Sequence, residues 1–191
     1  MRRDPSLLGQ GLANCGLFVS YFFLVCSIAI LGYKLYERSL QKTLILKDAD
    51  VMAAMASRGV DRVEIGDPTS EAEHGLQFTH NEAGIFFGRQ WRAVSGGGQF
   101  SYVMKVLPNQ AMNLDCRYWG SDTGGRVFDI LVEQRVIATQ TLDRNVPEKF
   151  FDVEYKIPRR ITRGKTQVTV EFRGRPGLAA GGVFNCQILK R

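Results

Sequence analysis

Histidine is scarce in this sequence. His74 and His80 are the only two in 191 residues, and that scarcity removes much metal and acid–base chemistry at once. A zinc site wants three or four ligands in one place. SEAEH (70–74) is not HExxH, and two isolated histidines in a polar stretch read as solvated side chains. Cysteine occurs four times and never as CxxC, which excludes zinc-ribbon and thioredoxin-like chemistry. Cys15 and Cys26 lie in an apolar run, whereas Cys116 and Cys186 sit in strand-like stretches and read as small buried hydrophobes in preference to a disulfide. Basic residues exceed acidic ones, 25 to 19, for a net charge of +6. They form no stripe interleaved with aromatics, so no nucleic acid partner is expected; an anionic envelope or an acidic polysaccharide suits the same charge. SGGGQF and GGRVF open no helix and therefore read as turns, not phosphate loops. No cofactor is implied.

Charge is missing altogether between Pro5 and Tyr33. The run from Leu12 to Gly32 is close to the roughly 20 apolar residues that cross a bilayer as a helix. A basic Arg2–Arg3 start and a small-x-small site at Ser27-Ile28-Ala29 also fit a secretory signal. Arg2 and Arg3 on one side and Lys34, Arg38, Lys42 and Lys47 on the other leave orientation open. Residues 1–33 are therefore expected to be a transmembrane or signal leader, with the chain membrane-anchored or exported to the cell envelope; a buried core helix or a mis-set start codon is the alternative. Residues 34–58 hold Leu35, Leu40, Leu44, Leu46, Val51, Met52 and Met55 without glycine or proline. That composition predicts a helical connector stopped by Gly59.

From residue 59 onward Gly, Pro, Asn and Asp punctuate runs of Val, Ile, Phe, Tyr and Thr. Strands are predicted at 100–107, 113–119, 126–133, 135–142, 150–157, 166–173 and 182–189, with 85–93 as an eighth. Alternation in VTVEF puts Val168, Val170 and Phe172 on one face; the same rule groups Phe151, Val153, Tyr155 and Ile157. The fold expected for 59–191 is all-β, an antiparallel, jelly-roll-like β-sandwich. Glu133-Gln134 must make a tight hairpin without the usual Asn-Gly or Asp-Gly.

Four stretches, GRQWRAVSGGGQFSYVMKV, YWGSDTGGRVFDILVEQRVIATQTL, KFFDVEYKIP and GKTQVTVEFRGRPGLAAGGVFNCQIL, taken in order, resemble the C-terminal β-sandwich module of bacterial glycoside hydrolase family 127, named for β-L-arabinofuranosidase activity. DRVEIGDPTSEAEHGLQF resembles the connector leading into that module. The resemblance implies an accessory domain. The family's catalytic site, zinc-assisted and built on glutamate and cysteine, lies in an upstream helical barrel, so no catalytic residue carries over. It also implies a glycosidase catalytic domain as a partner, or a gene fragment of such an enzyme. The apolar leader and Glu133-Gln134 depart from the family pattern.

A glycosidase needs two carboxyl groups flanking the sugar. Asp122, Asp129, Glu133 and Asp152 are available, but no local pattern ties a pair to one cleft, and an autonomous enzyme is not expected. Trp91, Tyr118 and Trp119 can supply rings for the C–H patches of a sugar, with Asp122 and Arg126 as polar partners for its hydroxyls. The competing reading, which is preferred, makes Trp119 a cap on the core at a strand end, with Asp122 and Arg126 paired across their glycine turn. The functions expected are a non-catalytic accessory domain with weak glycan binding, or a docking module for a separately encoded glycosidase barrel.

Overall fold

The computed structural model describes residues 30–39, 53 and 57–191. Contacts divide the chain into two units, Met1–Ala54 and Met55–Arg191. In the first, helix α1 spans residues 30–39 with every residue exposed. Among the described residues no helix is long and apolar enough to cross a membrane; residues 1–29 of the expected leader, and most of the expected connector, lie outside them.

The second unit carries β1 (Gly59–Val63), α2 (Pro68–Glu73), β2 (Gln77–Phe86), β3 (Arg89–Lys105), β4 (Met112–Trp119), β5 (Arg126–Val132), β6 (Arg135–Leu142), β7 (Phe150–Ile157), β8 (Gln167–Gly174) and β9 (Ala180–Lys190). Hydrogen-bonded neighbours run β6-β5-β8-β3-β9-β4-β7, with β1 added to β9 and β2 to β3, and every pairing is antiparallel. The long β3 pairs with β8 through Gln99–Lys105 and with β9 through Arg92–Val94. Between those stretches lies Ser95-Gly96-Gly97-Gly98, and β2 shifts register opposite it, between Thr79 and Asn81. One hydrogen-bonded path thus turns a corner and folds into two facing layers, the architecture of a sandwich.

Contacts across the layers confirm the facing. Tyr118 of β4 lies 6.1 Å from Phe128 of β5, ring centre to ring centre. Cys186 Sγ is 3.6 Å from Met104 Sδ, and the Tyr155 hydroxyl on β7 donates to Gln140 on β6 at 2.6 Å. Phe100, Tyr102, Phe128, Ile130, Leu114 and Phe172 are among the side chains wholly removed from water. Each contributes about 1.5–3 kcal/mol by burial. Val168, Val170 and Phe172 are buried together, as alternation requires.

Three local expectations change. Residues 85–93 are not one strand but the tip of the β2–β3 hairpin, turning at Phe87-Gly88 with φ of 47° and 71°; aromatic residues on both sides of a turn with a single glycine read like one strand. Residues 61–78, placed in the β-rich domain and likened to a connector with no element assigned, hold most of β1, all of α2 and the start of β2. Asp67 caps α2 by accepting the Ser70 N–H at 2.7 Å, and Pro68 opens its first turn; six residues are too few to show helical periodicity. His74 is not solvated: its ring bonds Ser70 O at 2.6 Å and approaches Asp61 at 3.4 Å, with only 13% of the side chain exposed.

The Glu133-Gln134 hairpin does form, with φ of 52° and 59°, a region costly for these residues. Their side chains supply the compensation. Glu133 accepts from the Thr169 N–H at 2.8 Å and pairs with Lys165, while Gln134 bonds Glu171 and Arg173. The turn is anchored to β8 by tertiary contacts that no local sequence rule contains.

Cys116 and Cys186 stand directly opposite each other in the β4–β9 ladder, both free and fully buried. Burial pushes the Cys116 thiol well above its usual value, so little thiolate forms. With Cys15 and Cys26 replaced by serine, the two remaining thiols are expected to resist Ellman's reagent in the folded protein and to react at once in guanidinium chloride; fast titration of that variant under native conditions would contradict their burial.

Candidate functional site

Alternation along β4 separates the neighbours Tyr118 and Trp119. Tyr118 turns inward, fully buried, its hydroxyl bonded by Tyr155 at 3.0 Å. It therefore leaves the set of candidate ligand-binding residues: its ring belongs to the core and presents no face to solvent. Trp119 turns outward, half-buried, and is not the core cap that was preferred on sequence grounds.

Trp119 lies in a cleft of about 230 Å³ lined by Phe86, Trp91, Trp119, Asp122, Arg126 and Phe184, with Gly182 between. Four of the five candidate residues thus meet, although they come from β3, β4, the 120–125 loop and β5. Trp91 is placed by the β2–β3 hairpin, where its ladder partner is Gly84. A side chain on Gly84 would come within 3.1 Å of the Trp91 indole, so glycine leaves the ring room to lie across the strand.

Around Trp119 the outer face holds a connected group of rings that sequence reasoning missed. Phe86 lies 5.2 Å from Trp119, Phe87 5.4 Å and Phe150 5.0 Å; Phe184 is 4.9 Å from Phe150 and 6.4 Å from Phe86. Phe150 is the cross-strand partner of Trp119, and edge-to-face packing of this kind stabilises such pairs. The missed signal was doubled aromatics at element ends, Phe86-Phe87 and Phe150-Phe151, where one ring of a pair must face outward.

The glycine turn between Asp122 and Arg126 runs through Gly124 and Gly125, both at positive φ. It brings Arg126 Nε to 3.4 Å from Asp122 Oδ1, a single loose contact rather than a bidentate pair. Burial raises the Asp122 carboxyl above its ordinary value, against the pull of Arg126. The pairing expected of a structural corner is therefore real, and the same two groups also line the cleft. Neither is locked in a saturated ion pair.

The other carboxylates are engaged elsewhere. Asp129 is bonded by Thr139 and Arg175, Asp152 by Arg117 through two contacts of 2.7 Å, and Glu133 by Lys165 and Thr169. Asp122 is the one carboxylate lining this cleft, so a flanking pair for glycoside hydrolysis is not assembled there. Among the described residues no cluster of His, Cys, Asp and Glu forms a metal site. The cleft offers ring faces for apolar contact, with one carboxylate and one guanidinium to bond hydroxyl or carbonyl groups.

A family model described as a family of unknown function, DUF6805, matches residues 54–189. The chain belongs to this family. No curated protein matches. Among solved structures, the chain is similar to a family 35 carbohydrate binding module from Clostridium thermocellum, at 10% identity over 69% of this chain and 100% of that one, with a TM-score of 0.47. It is similar to an exo-β-1,3-galactanase from Phanerochaete chrysosporium crystallised with β-1,3-galactotriose, at 12% identity over 69% of this chain and 29% of that one, with a TM-score of 0.50. It is also similar to the C-terminal family 6 carbohydrate binding module of a marine laminarinase from Zobellia galactanivorans, at 13% identity over 68% and 98%, with a TM-score of 0.48. At such identities the likeness is one of fold. What these comparisons establish is coarser than the family 127 resemblance: an antiparallel β-rich domain in a family whose function is open.

Proposed function

We propose that the β-rich unit of this DUF6805 member is a non-catalytic glycan-binding domain. The observation that carries this reading is the cleft itself. Trp91, Trp119, Phe86 and Phe184 wall it, and Asp122 and Arg126 enter it together. Sugar recognition needs this combination of apolar ring faces against C–H surface and a few fixed polar groups for hydroxyls. The finer reading, an accessory domain that supports or targets a family 127-type glycosidase, rests on the four sequence stretches. A place at the cell envelope rests on the uncharged run from Pro5 to Tyr33.

The test is a glycan array probed with the full chain, with hydrolysis of arabinofuranosides followed in the same samples. Binding without turnover is expected. Turnover would overturn the non-catalytic assignment. Absence of both would favour a second reading, a docking module for a separately encoded barrel, which the exposed hairpin-tip residues Ile85 and Phe87, 72% and 73% accessible, would then serve as an apolar contact.

A further inference from the structure

The aromatic cleft does not end at Phe184. On the other side of that ring a second depression of about 270 Å³ opens, lined by Arg62, Glu64, Asp67, Arg89, Gln90 and Phe184 among others. The same hairpin overhangs both: Phe86 belongs to the first cleft, Gly88 and Arg89 to the second. Phe184 lines both hollows; Phe150 packs 4.9 Å from it, and the Arg89 guanidinium sits 5.2 Å over the Phe150 ring. The two hollows are chemically unlike. The first is walled by rings; the second is polar, with Arg62 paired to Glu64 at 2.8 Å, Asp67 turned to the start of α2, and Gln90 lying against the backbone of Gly66.

Taken singly, each hollow is smaller than the roughly 300 Å³ at the low end of ligand sites, and joined they fall within the range. Resting on the glycan-binding reading above, we propose that they are consecutive subsites, and that the ligand is an internal stretch of an oligosaccharide or polysaccharide running from the aromatic cleft across Phe184 into the polar one. A lone terminal sugar would use only the first hollow. The second, with the cationic heads of Arg89 and Arg62 and the amide of Gln90, bonds hydroxyl and ring oxygens of the next units along the chain, or a carboxylate where those units are uronic acids.

The experiment follows tryptophan fluorescence of the full chain with ladders from monosaccharide to hexasaccharide of β-1,3-glucan, β-1,4-xylan, β-1,3-galactan and polygalacturonate. In the ladder that binds, affinity is expected to rise by about tenfold or more between the shortest and the middle members, the size of one added charge-assisted hydrogen bond. Arg89→Ala and Gln90→Ala, made separately, are expected to remove that rise while leaving the shortest binding member unchanged. Two variants keep the result clear if the loss of Arg89 disturbs the Phe150 ring. A ladder that binds with affinity independent of length, or a rise that survives both variants, overturns the second subsite and leaves the aromatic cleft standing. No binding by any ladder overturns the glycan reading and the subsite together.

Discussion

Replacing Arg92 with leucine is expected to lower stability by about 3–5 kcal/mol, the cost of leaving one partner of a buried ion pair alone. Arg92 on β3 grips Glu71 on α2 with two hydrogen bonds, Nε to Oε1 at 2.8 Å and Nη2 to Oε2 at 2.6 Å, and the Tyr102 hydroxyl adds a third at 2.8 Å. Glu71 is 5% exposed and Arg92 6%, so water cannot replace what is removed. Burial works to raise the Glu71 carboxyl, but Arg92, the Gly66 N–H and Tyr102 together hold it below its usual value. In the native protein Glu71 therefore adds stability above pH about 4.5 that is lost as pH falls through its depressed folded value. In Arg92→Leu the cation is gone and burial dominates, so the folded carboxyl lies above its unfolded value and its penalty disappears on protonation. The gap between native and variant should begin to narrow above pH about 4.5, as the raised carboxyl of the variant takes up its proton, and narrow further below it as the native carboxyl does the same. Urea unfolding at neutral and acid pH measures this, and a gap that stays constant would mean that Glu71 is not the orphaned group. Removing both charges, in Glu71→Leu with Arg92→Leu, is expected to cost less than the single change, because no unpaired charge remains and only neutral donors, the Tyr102 hydroxyl and the Gly66 N–H, lose their acceptor.

Trp119→Ala is the second large effect, on binding more than on folding. Trp119 contacts Phe86, Phe87 and Phe150 on the outer face and is absent from the buried core. Truncating it should leave circular dichroism unchanged and the melting transition cooperative. Glycan affinity should fall by about 2 kcal/mol or more, roughly thirtyfold, the loss typical of an aromatic anchor at the centre of a recognition surface. Tyr118→Phe is the informative control: that hydroxyl bonds Tyr155 inside the sandwich, so the change should affect stability and leave binding untouched. Loss of binding in Tyr118→Phe, or retention in Trp119→Ala, would move the site away from this cleft. Both are read by titration calorimetry against the best-binding array glycan.

The contrast between Tyr118 and Trp119 shows what could and could not be read in advance. YWGSDTGGR advertises two adjacent rings and a carboxylate–guanidinium pair, but ring type does not tell which side of a strand faces water. That depends on register, and a one-residue slip exchanges core for surface. Trp91 lies far from Trp119 in sequence and joins it only because β3 turns a corner at Gly96–Gly98 and pairs with β9. Phe184 and Phe150 join for a similar reason, each laid beside β4's layer by ladder pairing. The Glu133-Gln134 turn went against local turn chemistry and formed nonetheless, because Thr169, Glu171 and Arg173 of β8 and Lys165 just before it hold the turn in place.

By itself the sequence determined what is local: the alternation that makes strands β4 to β9, the turn residues between them, the scarcity of histidine, and the want of any paired carboxylate motif. Period-two patterning and turn propensity act between near neighbours, so they survive without knowledge of the fold. Tertiary structure alone decided which strands lie side by side, which ring of each aromatic pair meets solvent, and that Asp122 and Arg126 share a cleft with Trp91. Those outcomes come from the balance of burial over the whole sandwich, where long-range pairing selects one register and one face for every strand at once.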